Sequence, residues 1–297
     1  MDSATLAFLA APFAASLILT GIHAYLGVHV VERGVIFVDL SLAQIAALGA
    51  AIAILLPITG GDPHAPVVYW ISLGFTFIGA AVFSTIRGHR ARIPQEAIIG
   101  ICYAVASAAA ILAMSKATSE SEHLKDMLVG NILAVSWYEV GHTALLYGAI
   151  GAFHYVFRKQ FLAISRSHGD PESTGLNYRL WDFLFYASFG FVVTSSVSIA
   201  GVLLVFCYLI VPSVAAMLYS DSIGKRLAIG WTMGTVVSAL GVYLSLVLDL
   251  PTGATIVCTF GLVLIGMAAV RPLIAPHRLA GTVPAAGGPA MRRRPQE

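Results

Sequence analysis

The chain has 297 residues, of which 58% are hydrophobic and only 11% charged, and its mean hydropathy is +0.84. A soluble domain carries about a quarter charged residues, so this chain has too few water-seeking groups to cover itself as an ordinary cytosolic enzyme. Low charge also excludes disorder and a coiled coil, and three cysteines are too few for a disulfide scaffold.

A helix crosses the hydrocarbon with about 20 apolar residues. Windows free of Asp, Glu, Lys and Arg cover residues 4–31, 63–86, 97–115, 140–157, 227–248 and 250–270, and residues 34–61 contain only Asp39. Each window predicts one span. Residues 183–220 form a charge-free run long enough for two, with a polar turn expected at 194–198. The sum is an all-α, polytopic membrane protein of about nine transmembrane helices. Transmembrane β-strands would be shorter and would alternate polar with apolar residues.

Lys and Arg stay on the cytoplasmic side of a membrane protein. With nine spans and the C-terminus inside, 15 of the 17 Lys and Arg fall on inner segments, leaving Lys116 and Lys125 outside. The N-terminus is then outside, on a first span read as a retained helix rather than a removed signal peptide. Residues 1–272 form the transmembrane domain and residues 273–297 a disordered cytoplasmic tail, rich in Pro, Gly and Ala, whose three arginines at 292–294 suit anionic lipid.

Not every apolar stretch spans. Residues 127–138 are too short to cross and read as a re-entrant or interfacial helix at the outer face. The longest inner connector, residues 158–180, has a helix-unfriendly core, SHGDPESTG, and reads as a solvated loop able to dock a cytoplasmic partner. Pro212 lacks an N–H and frees the carbonyl of Tyr208, which predicts a kink there. Cys102, Cys207 and Cys258 lie in apolar stretches and read as buried reduced thiols. The outer acids Asp62, Glu120 and Glu122 are candidates for receiving a partner, although a face depleted of cations follows from topology alone.

Motifs for covalent chemistry are missing. The one Gly-Lys pair, Gly224 and Lys225, has Tyr219 where a phosphate-cradling loop needs its first glycine, and there is no H-E-x-x-H, C-x-x-C or G-x-S-x-G. The chain therefore reads as a transport subunit rather than an enzyme, with no cofactor of its own. Ionisable groups within spans are functional candidates by default. Asp39 lies about a turn inside the second span with Gln44 deeper, and Glu96 opens the fourth. Their plainer reading is ion pairing to Arg33 or Arg92 at the interface. His23, His142 and His154 read as hydrogen-bonded core residues, and the last two are too far apart along a helix to share an ion. Gly230 and Gly234 would let helices approach closely.

Several stretches in series resemble the permease subunits of the zinc and manganese family of ATP-binding cassette importers. These are GVHVVERGVIFVDLSLAQIAALGAAIA, RIPQEAIIGICYA, MLVGNILAVSW, GVLLVFCYLIVPSVAAML and LDLPTGATIV, in order from about residue 20 to 272. The resemblance implies a bacterial inner-membrane permease that pairs with a second copy of itself, a cassette ATPase dimer below that hydrolyses the ATP, and an extracytoplasmic substrate-binding protein above. No nucleic acid partner is expected. It places coupling to the ATPase on the loop after the fifth span, here Arg166, Asp170, Glu172, Gly175 and Leu176, with about three residues fewer than the family pattern. Family members carry an Asp and, four residues on, a His in the second span. Those positions are Leu40 and Gln44 here, with Asp39 adjacent but about 100 degrees round the helix, while Glu96 falls where the family has an acid. Asp39, Gln44 and Glu96 are thus the candidate substrate path for a divalent transition metal such as zinc, manganese or iron. The metal ligands themselves stay unassigned. The alternative is a secondary transporter driven by an ion gradient.

Overall fold

A computed structural model describes residues 3–59, 62, 65–86, 93–115, 132–167 and 171–274. Among these residues there are nine α-helices and no strand: α1 (Ser3–Arg33), α2 (Val38–Leu55), α3 (Pro66–Ile86), α4 (Gln95–Met114), α5 (Trp137–Val156), α6 (Arg158–Ser165), α7 (Tyr178–Met217), α8 (Ile223–Leu248) and α9 (Thr252–Ile274). All but α5 and α6 have both the length and the hydropathy to cross a membrane, giving seven candidate spans among the described residues. At 20 residues α5 is long enough, but Glu139, His142 and His154 make it less apolar.

The helix ends follow from local chemistry. Gly34, at φ 68, takes the left-handed conformation that stops α1, and its N–H and that of Val35 return to the carbonyls of Val31 and Val30. Thr59 Oγ1 donates to the last carbonyls of α2. Ser136 and Glu139 form a reciprocal capping box that starts α5 at Trp137, so Trp137 and Tyr138, expected in the short outer segment, belong to α5 instead. Ahead of it Ile132–Ala134 make a single 3₁₀ turn, and residues 127–131 lie outside the described residues, as do Asp170, Lys116, Lys125, Glu120, Glu122 and the tail from residue 275.

The 40-residue α7 is the centre of the bundle and packs against α1, α2, α3, α8 and α9. A straight helix of this length would separate its ends by about 60 Å. Both ends nevertheless lie at the Glu32–Arg33 end of α1. Asp182 pairs with Arg33, whereas the carbonyl of Ser220, just past the helix, accepts from Arg226, which in turn pairs with Glu32. Midway, Ser196 reaches His23. The chain therefore runs out and back, and the residue that leaves helical space is Gly201, with φ 75 and ψ 160.

One local expectation is corrected here. The turn falls at Gly201 rather than at 194–198, where Ser195, Ser196 and Ser198 donate to carbonyls three or four residues back and remain helical. A glycine reaches positive φ without a Cβ clash, and small polar residues in a membrane helix do not force a turn. Pro212, where a kink is expected, keeps helical backbone angles, as a proline within a bent helix can. It sits within the returning half of α7, beside Gly230 of α8.

Close packing depends on missing side chains. A Cβ on Gly27 would lie 2.0 Å from the carbonyl oxygen of Leu209, and one on Gly234 would lie 2.4 Å from Thr20 Cγ2. The expectation for Gly234 thus holds in detail, since α8 approaches α1 there. Of the three cysteines, all free, Cys207 is buried and Cys102 half-buried, but Cys258 is exposed on the outer side of α9 rather than in the core.

The connector after α5 is not all loop. Its first eight residues form α6, which buries Phe161, Ile164 and Ser165 against the bundle. Phe161 and Ser165 are four residues apart and share one face, a pattern hidden by the neighbouring Arg158, Lys159 and Gln160. Beyond it, residues 171–174 make a single 3₁₀ turn and Gly175 has φ 67.

Candidate functional site

Two polar clusters lie at the same end of the bundle. The first joins α1, α6 and α7. Arg33 and Asp182 form an ion pair whose side chains are both fully buried. Arg33 Nε also donates to Ser165 Oγ at 2.9 Å, and the same hydroxyl shares a 2.9 Å hydrogen bond with His29 Nδ1. The guanidinium lies 4.0 Å from the centre of the Phe185 ring. A buried ion pair repays its desolvation only with good geometry and additional hydrogen bonds; this one gains the Ser165 hydrogen bond and the Phe185 ring, while Arg33 Nη2 is buried without a partner. One turn away, His154 stacks on Phe161 at 4.2 Å, bonds Ser188 Oγ at 2.8 Å and faces the Tyr25 hydroxyl at 3.4 Å. The cluster therefore fixes both flanks of the connector at 166–177 to α1.

On that connector Arg166, Glu172 and Gly175 are exposed and Leu176 is half-buried, its N–H bonded to Thr174 Oγ1 at 3.3 Å. Three of the five residues expected to meet an ATPase are thus exposed between two anchored helices, while Asp170 lies outside the described residues.

The second cluster lies where α2 and α4 begin. Asp39 is 1% exposed, and its Oδ1 has no hydrogen-bond partner. Arg33, which sequence distance had offered as its partner, pairs with Asp182 instead. Glu96 Oε1 accepts the Phe37 N–H at 3.1 Å, placing a carboxylate on the N-terminus of α2 where the helix dipole favours it. Its other oxygen, Oε2, is buried without a partner, as is Ser41 Oγ. Gln44 is buried one turn deeper in α2. Native proteins pair the great majority of buried polar atoms, so unpartnered oxygens in the first turns of two packed helices are places that water or a cation could satisfy. Arg92 lies outside the described residues.

Among the described residues no three His, Cys, Asp or Glu side chains come together as a metal-ligating group. The histidines are spent on structure or lie apart. His23 bonds Leu19 O at 2.8 Å and Ser196 Oγ at 3.2 Å, and His142 is exposed beside Tyr138. His29, Ser165, Asp182 and Glu32 were not singled out in the sequence. Their partners are 132 to 194 residues away along the chain, and the one available signal was that Asp182 is the last charge before a long apolar run.

A bundle of long apolar helices, with acids at one end that each keep one enclosed oxygen unpartnered and an anchored connector beside them, has the build of a polytopic transport subunit. The chain matches the ABC 3 transport family over residues 5–271 and belongs to that family. It is 29% identical over 202 residues to the manganese transport system membrane protein MntC of Listeria innocua, covering 66% of this chain and 71% of the relative. It is 26% identical over 242 residues to the chelated iron transport system membrane protein YfeC of Yersinia pestis, covering 82% and 79%. Among solved structures, PsaBC of Streptococcus pneumoniae in complex with Fab superposes with a TM-score of 0.72 at 24% identity, over 91% of this chain and 92% of that one. An inward-facing metal-chelate type ABC transporter superposes with a TM-score of 0.65 at 16% identity, over 89% and 85%. Both share the fold.

Proposed function

We propose that the chain is the permease of an ATP-driven importer of a divalent transition metal, and that its cargo passes Asp39, Gln44 and Glu96. The observation that carries this reading is Asp39, buried at the start of α2 with its Oδ1 unpartnered, in a chain of this family. Burying an ionisable group within a membrane is costly and marks a pathway by default. An amide and two carboxylates offer oxygen atoms only, which suits manganese or ferrous iron better than a strict zinc site. Relatives named for manganese and iron transport support the same class.

In this reading the chain crosses the bilayer nine times, through the seven apolar helices, α5, and a second crossing supplied by the return of α7 at Gly201. The end that gathers Arg33, Arg158, Arg166 and Arg226 is cytoplasmic by the distribution of cations, and the C-terminus lies there too. The permease pairs with a second copy, and the exposed connector with Glu172 and Gly175 docks a separate ATPase. An extracytoplasmic binding protein delivers the metal at the opposite face. With Leu40 and Gln44 in the family's metal positions, one chain provides isolated oxygen donors rather than a finished cage, so the ion is passed along rather than stored.

Reconstitution tests this reading. Vesicles containing the permease with its cognate ATPase should take up Mn²⁺ only with ATP inside the nucleotide-accessible compartment, and collapse of proton and sodium gradients should leave uptake unchanged. Uptake that follows an ion gradient and ignores the ATPase would establish the secondary-transporter alternative instead.

A further inference from the structure

A groove of about 660 Å³ opens at the side of the bundle between α1, α5, α6 and α8. Neither α2 nor α4, which carry Asp39 and Glu96, contributes a lining residue to it. Its walls are apolar, with Ile18, Ile22, Leu162 and Leu227 facing one another. Its floor is open because Gly148 and Gly151 of α5 have no atom within 4 Å of the place where a Cβ would project. At one end stands Arg158. Its guanidinium rests 4.4 Å from the Tyr155 ring centre and donates to the Tyr155 carbonyl at 2.9 Å, but makes no ion pair among the described residues. Trp231 closes the opposite wall with its indole N–H fixed on the carbonyl of Gly21 at 3.0 Å.

The dimensions point to one kind of occupant. The α5 wall from Ala144 to Tyr155 is about 16 Å long at 1.5 Å per residue, and one leaflet contributes about 15 Å of hydrocarbon, half of the usual core. The charged end of the groove is the end where α6 begins and α8 starts, the same end that holds Arg33 and Arg226. An apolar slot one leaflet deep, with an unpaired guanidinium at headgroup height and a tryptophan along its side, matches a phospholipid with an anionic headgroup. Basic pockets between transmembrane helices take such headgroups, and each cation near the surface contributes measurably to their retention. We infer that the groove binds one anionic phospholipid per chain, its acyl chain between α1, α5 and α8 and its phosphate on Arg158. The inference needs the membrane setting of the family and not the proposed cargo.

The lipid would also have a structural consequence. The groove touches α6, so an acyl chain there packs against Leu162 on the helix that anchors the coupling connector. Anionic lipid would thereby stiffen α6 against α1.

The test is native mass spectrometry of the permease–ATPase complex in mild detergent, titrated separately with phosphatidylglycerol and phosphatidylcholine. The expected result is one phosphatidylglycerol per permease chain that survives activation energies stripping phosphatidylcholine. Arg158→Gln should weaken the preference by about five-fold, the effect of one interfacial cation, and Gly148→Leu with Gly151→Leu should abolish retention of either lipid. Equal retention of both lipids by the unaltered complex would overturn the inference without any variant. So would unchanged retention in the variants, or efficient disulfide crosslinking of two chains through Gly148→Cys in native membranes, which would give the groove to a second copy.

Discussion

The two polar clusters share one end of the bundle and differ in what their charges meet. Between α1, α6 and α7, Asp182 faces Arg33, and the cation is further held by Ser165 and the Phe185 ring, so that its charge is met although one nitrogen, Nη2, has no hydrogen-bond partner. Between α2 and α4, Asp39 and Glu96 each keep an oxygen with no partner although both atoms are enclosed. A neutralised, stacked ion pair has little left to offer a passing ion, and its value lies in holding three helices in register. An enclosed carboxylate with spare oxygens is costly to keep unless something visits it. The contrast separates a girder from a path, although both are built from the same residue types.

The sharpest way to break the contrast is at Asp182. Asp182→Ala leaves a fully buried guanidinium without its counter-charge, and loss of one partner of such a pair costs about 3–5 kcal/mol. The variant should lose thermal stability in detergent or fail to accumulate in membranes, whereas Asp39→Asn should leave the melting temperature unchanged or raise it. Equal melting temperatures for Asp182→Ala and the unaltered protein would remove the structural role assigned to the first cluster.

Gly201 comes next. A side chain at φ 75 and ψ 160 is strained whatever space surrounds it, at about 1–3 kcal/mol. Gly201→Ala should lower stability by that order, and Pro212→Ala, within helical backbone, should change it less. The reverse ranking would place the reversal of α7 at the proline.

A smaller and more selective effect is expected on the connector. Glu172→Gln with Gly175→Ala alters exposed positions, so folding and membrane insertion should persist while ions moved per ATP fall several-fold in vesicles. Normal coupling, together with absence of any crosslink from this segment to the ATPase, would move the contact elsewhere. Smallest of all is the opposite face. Neutralising Asp62, Glu120 and Glu122 together should weaken docking of a binding protein modestly and reduce its salt dependence, because exposed charges each contribute at most about 1 kcal/mol. Docking insensitive to both salt and these substitutions would leave the acidic face as a by-product of topology.

Much of this was legible in the sequence because a bilayer enforces simple rules. Long charge-free windows became helices, and the alternation of cations placed Arg33, Arg158 and Arg226 at one end. The charge-free run from 183 proved to run out and back. Less legible were features set by three-dimensional neighbours. Arg33 had Asp39 six residues away and Asp182 149 away, and packing chose the distant one. The α6 helix was masked by its charged first turn, since Phe161 and Ser165 acquire meaning only against His154 and His29. The turn of α7 was misplaced because a single glycine in an apolar run gives a weaker local signal than a cluster of serines. Asp39, Gln44 and Glu96 were readable as candidates from polarity at depth, but the one unpartnered oxygen on each acid is visible only once their surroundings are known.

The account stands most directly on one paired measurement in vesicles holding the permease, its ATPase and a metal-loaded binding protein: Mn²⁺ uptake and ATP hydrolysis recorded together for the Asp39→Asn, Glu96→Gln double variant. The predicted result is a large fall in uptake with the complex intact and hydrolysis still occurring, because the path is impaired and the anchored connector is not. Undiminished uptake with unchanged ion preference would contradict the account, making both acids structural and sending the cargo by another route.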